Sequence, residues 1–103
     1  MQHIGLEIID EKTSLIERSN INFAPIMQIL FKVNSFKDSY SFLSTIDPYG
    51  DTYFNVHQVP RVIDELEKFK QNENALSVLK EINDTIEFLK KIEQHTFAKF
   101  IGD

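Results

Sequence analysis

The sequence predicts a small α+β domain: a mostly antiparallel sheet with helices packed on one face. Three observations carry this. Apolar residues alternate with period two near both ends, in Ile4–Asp10 and Thr96–Ile101, which is strand spacing. They recur at three- and four-residue intervals from Val59 to Phe69 and from Leu76 to Ile92, which is helix spacing. Asp47-Pro-Tyr-Gly50 is a tight turn, with Asp opening it, Pro setting φ and Gly supplying the permissive position. A chain of 103 residues has material for one hydrophobic core, so residues 1–103 are read as a single α+β domain.

The elements follow in the order β(β)αββααβ. In Ile4–Asp10, Leu6 and Ile8 share one face and Glu7 and Ile9 the other. A polar turn at residues 10–13 leads into a return strand at residues 14–18. Asn22 is an N-cap residue type and Pro25 sits in a first turn, where its missing N–H costs nothing, so a helix is expected over residues 23–33, ending near Asn34. Residues 39–46 alternate, with Tyr40, Phe42 and Ser44 on one side and Ser41, Leu43 and Thr45 on the other. With Asp51–Asn55 returning after the turn, residues 39–55 are expected to form a β-hairpin. Pro60 opens the next helix. Asn72 or Asn74 caps the last one, whose stripe of Leu76, Leu79, Ile82, Ile86, Leu89 and Ile92 is continuous. The final strand is apolar on both faces, which predicts a central position in the sheet.

Net charge is −5, and both halves of the chain are acidic, so the charge is a coat and not a tail. Nucleic-acid affinity rests on Lys and Arg neutralising phosphates, and this surface repels them. It favours encounter with a basic protein. The absence of Cys removes disulfides, thiolate nucleophiles and zinc-finger ligand sets. No apolar run approaches the length of a membrane span, and Met-Gln-His-Ile-Gly lacks the basic and apolar regions of a secretory signal, so a cytoplasmic location is expected.

The string Ile46-Asp-Pro-Tyr-Gly-Asp-Thr-Tyr-Phe-Asn55 and the closing Lys99-Phe-Ile-Gly-Asp103, with a helix between them, resemble a family of small bacterial proteins of about this length. The resemblance covers most of the chain in order. It implies no activity, because none is established for that family, and it supports reading the chain as a complete protein.

No Ser stands in a Gly-x-Ser-x-Gly elbow, and three Gly, at positions 5, 50 and 102, cannot build a phosphate loop. No catalytic residue, metal set or cofactor is expected. Asp47 and Asp51 flank one turn, but without the acidic density of a calcium loop. Their bland reading is that Asp47 caps its turn and Asp51 starts a strand. Tyr next to Asp on an exposed turn is a composition common in protein interfaces. Asp47, Tyr49, Asp51 and Tyr53 are therefore the expected binding residues of a small acidic protein-binding module, immunity- or antitoxin-like in kind, that occludes a basic partner surface. The alternative is a small metal-dependent or acid–base enzyme using Asp51, His57, His95 and Asp103, which requires those four to converge. A third reading is a homodimer, paired through the last helix or a sheet edge. No nucleic-acid or membrane partner is expected.

Overall fold

The computed structural model describes residues 2–103. Ile4–Asp10 (β1) forms where alternation predicts, with Ile4, Leu6 and Ile8 turned into the core. Its turn into Leu15–Arg18 (β2) is built on Asp10, whose carboxylate accepts from the amides of Lys12 and Ser14, both at 2.9 Å, while Thr13 takes a left-handed conformation, φ 65°. Ala24–Leu30 (α1) follows, shorter than the stripe to Val33 suggested. The N-cap position is Phe23 and not Asn22; Asn22, one residue earlier, accepts from Ala24 N–H at 3.0 Å, and the same oxygen accepts from Ile4 N–H at 3.0 Å. One side chain thus joins the helix start to the first strand.

The sheet runs β2-β1-β4-β3, antiparallel throughout, with Asp51–Phe54 as β3 and Thr96–Gly102 as β4. The final strand is central, as its two apolar faces require. The α+β class is as the sequence indicates: helices cover one face, and the core joins Ile4, Leu6, Ile8, Phe54, Ala98 and Phe100 to apolar helix residues. Phe100 is fully buried and meets Phe23 edge-on, ring centroids 5.0 Å apart, and Phe54 at 5.9 Å.

One expected element is absent from its place. Residues 39–46 are not a strand, so there is no hairpin over 39–55. Phe36–Ser39 is a short helix (α2) and Leu43–Thr45 a turn of 3-10 helix. The cause lies in the next helix, Val59–Phe69 (α3). Its Glu65 carboxylate accepts from the amides of Phe42, at 3.0 Å, and Leu43, at 2.9 Å, and from the Ser41 hydroxyl at 3.3 Å. Backbone donors that a strand would spend on a ladder are held by a charged acceptor, the stronger kind of bond. The Asp47–Gly50 turn survives, closed by Gly50 N–H to Asp47 C=O at 3.4 Å, but β3 leaves it to pair with β4.

The last helix is also interrupted. Asn72 caps a 3-10 helix, Glu73–Val78, by accepting from Asn74 N–H at 2.9 Å, and Leu79–Leu89 (α4) begins only after it. Three residues per turn rotate the stripe relative to an α-helix, which leaves Leu76 exposed. No helix among the described residues is long and apolar enough to cross a membrane.

Candidate functional site

Asp47, Tyr49, Asp51 and Tyr53 lie on the turn and on β3, an edge strand. The turn is held against the end of β4. Gly50 C=O accepts from Gly102 N–H at 2.8 Å, and a Cβ on Gly102 would stand 2.5 Å from the Pro48 carbonyl carbon and oxygen, so only glycine permits the approach. This brings Asp103 to the same corner, where its carboxylate accepts from the amides of Gln2 and His3, each at 3.4 Å.

Within the corner the four residues do different work. Asp47 serves its own turn: it accepts from Tyr49 N–H at 2.9 Å, and its carboxylate fills the space above Gly50. Asp51 is exposed and lies 3.8 Å from Lys99 Nζ, an ion pair on the sheet surface. Tyr49 is 68% exposed, the most exposed aromatic side chain described. Tyr53 is 46% exposed, with Lys99 Nζ 5.8 Å from its ring centre.

The enzyme constellation is not assembled. His95 precedes β4 and Asp103 follows it, so the strand itself holds them about 25 Å apart at its rise per residue. His95 instead contacts Glu11 beside the β1–β2 turn. His57 sits in the turn leading into α3, where Asn55 accepts from its amide at 2.9 Å. Among the described residues no group of three or more His, Asp or Glu side chains could hold a metal ion.

The sequence reading missed the face of the sheet that no helix covers. Outward positions on the four strands form rows set by the register. One row is Leu15, Ile9 and Phe97. The next is Arg18, Glu7, Lys99 and Tyr53. The last is Gly5, Ile101 and Asp51. None of their apolar side chains belongs to the helix-packed core. Arg18 Nε donates to Glu7 at 2.7 Å. The available signal was Glu7 and Lys99 at outward positions of otherwise apolar strands, but it becomes a surface only once β1 is known to pair with β4.

A concavity of about 510 Å³ between β2 and α4 is lined by paired charges, among them Lys80 with Asp84 at 2.6 Å and Lys91 with Glu17 at 2.8 Å. Away from this concavity, the buried Tyr40 has its phenol pushed up by burial first and by the Glu65 carboxylate second. Both belong to the fold and not to a reactive site.

No protein-family model, curated protein or solved structure matches this chain.

Proposed function

We propose that the protein is a small acidic cytoplasmic binding module, of bacterial immunity- or antitoxin-like kind, that covers a basic surface of a protein partner. The observation that supports this reading is the corner formed where the Asp47–Gly50 turn meets the end of β4. It presents two exposed tyrosines, Tyr49 and Tyr53, beside Asp51 and Asp103. Tyrosine supplies contact area at low cost in side-chain entropy, and rim carboxylates speed encounter with a cation-rich partner. Asp47 shapes the turn, and the tyrosines make the contact. The family resemblance in the same string adds no activity to this reading.

The test is capture from the native cell with the wild-type chain and with Tyr49→Ala and Asp51→Lys as parallel baits. A basic protein retained by the wild type and lost from both variants is the expected result. A partner retained equally by all three overturns the assignment of this corner.

A further inference from the structure

The uncovered sheet face has a pattern that its own copy matches. Across its middle row, charge runs positive at Arg18, negative at Glu7 and positive at Lys99, ending at Tyr53. Glu7 and Lys99 sit opposite each other on the two central strands. A two-fold axis parallel to the strands, midway between β1 and β4, reverses each row on the facing copy. Glu7 then lies over the second copy's Lys99, and Lys99 over its Glu7. Arg18 lies over the ring of Tyr53, a cation–π geometry. The half-buried Phe97 lies over Ile9, which neighbouring side chains already leave only 3% exposed. Ile101 lies over Gly5, where a dent of about 170 Å³ is lined by His3, Glu7, Arg18 and Ile101. A two-fold axis across the strands through the same row would set Glu7 on Glu7 and Lys99 on Lys99, and like-charge repulsion excludes it.

We propose that this face pairs with a second copy of the chain, sheet to sheet, about the axis parallel to the strands. This goes beyond the function proposed above but shares Tyr53 and Asp51 with its corner, so pairing and partner binding compete for the Tyr53 ring. Tyr49 and Asp103, at the end of the sheet, remain free on both copies. Two strands of seven residues and two of four, at about 4.8 Å spacing and about 3.3 Å rise, cover about 700 Å² over both copies, below the standard interface size, so the pair is weak and forms at high concentration.

The experiment is sedimentation equilibrium of the purified chain from about 10 μM to about 1 mM at low salt. The wild type is expected to dimerise within that range and to dissociate as salt is raised. Lys99→Glu sets Glu7 against a facing Glu, and Glu7→Lys sets Lys against Lys99. Each alone is expected to weaken association at least about tenfold. An equimolar mixture of the two variants restores opposite charges and is expected to recover association. Glu7 is nearly buried under Arg18, so Glu7→Lys is checked for folding by circular dichroism. The exposed Tyr53 gives an independent pair: Tyr53→Glu, over Arg18, tightens association and Tyr53→Arg loosens it. A wild type that stays monomeric to 1 mM, or a dimer that Lys99→Glu and the two Tyr53 variants leave unchanged, overturns the proposal.

Discussion

Replacing Glu65 by Ala removes a charged acceptor from two backbone amides and one hydroxyl that lie 22 to 24 residues away in the chain. Bonds to charged groups contribute about 1.5–3 kcal/mol each, and the amides of Phe42 and Leu43 sit in partly buried surroundings where water replaces only part of the loss. Half to two thirds of the summed value is a reasonable net loss, about 3 kcal/mol. For a domain of this size that corresponds to a fall in Tm of about 12–24 °C. Glu65→Gln keeps a neutral acceptor at the same place and is expected to lose about half as much, since neutral bonds are roughly half as strong. Urea unfolding monitored by circular dichroism measures both variants. A Glu65→Ala protein within about 0.5 kcal/mol of the wild type would refute the claim that this carboxylate holds residues 41–46 in their helical turn.

Three further outcomes follow from the geometry. Gly102→Ala drives a Cβ into the Pro48 backbone and strains the bond to Gly50, and is expected to cost about 1–3 kcal/mol in urea unfolding. Phe100→Ala empties a site between Phe23 and Phe54 and is expected to cost about 3–5 kcal/mol by the same measurement, whereas Tyr49→Ala changes stability by less than about 0.5 kcal/mol. Tyr40 is held neutral by burial and by Glu65, so its folded pKa lies above the ordinary value of 10.0. Its contribution to stability is complete below that ordinary value and is lost as pH rises through the folded one. Ultraviolet titration should show a phenol ionising above the ordinary value that Tyr40→Phe removes, and the same variant should lessen the alkaline loss of stability.

What the sequence disclosed tracks how local the determining physics is. The strands at Ile4–Asp10 and Thr96–Gly102, the Asp47–Gly50 turn and α3 are set by alternation, turn chemistry and an apolar stripe, all contained within the segment. Residues 39–46 alternate as well as any strand, but the carboxylate that decides their conformation belongs to another helix. Leu76 obeys helical spacing, but its turn is wound as 3-10, so it falls outside the stripe it seemed to extend. The candidate site divides the same way. Asp51 and Tyr53 are neighbours by strand period alone. Asp103 joins them through the glycine approach at position 102, and the rows of the uncovered face exist only through the β1–β4 register, which closes a loop of nearly the whole described chain. Long loops of this kind leave no mark in a local window.

That central seam has a consequence for biosynthesis. Ile4–Asp10 is made early, yet its main partner, Thr96–Gly102, is made more than 80 residues later. During translation the early strand has only the short, exposed β2 beside it, and α1, α3 and α4 have no completed sheet to cover. The sheet is therefore expected to assemble only once Thr96–Gly102 has left the exit tunnel, with the apolar stretches exposed until then to whatever chaperone waits there.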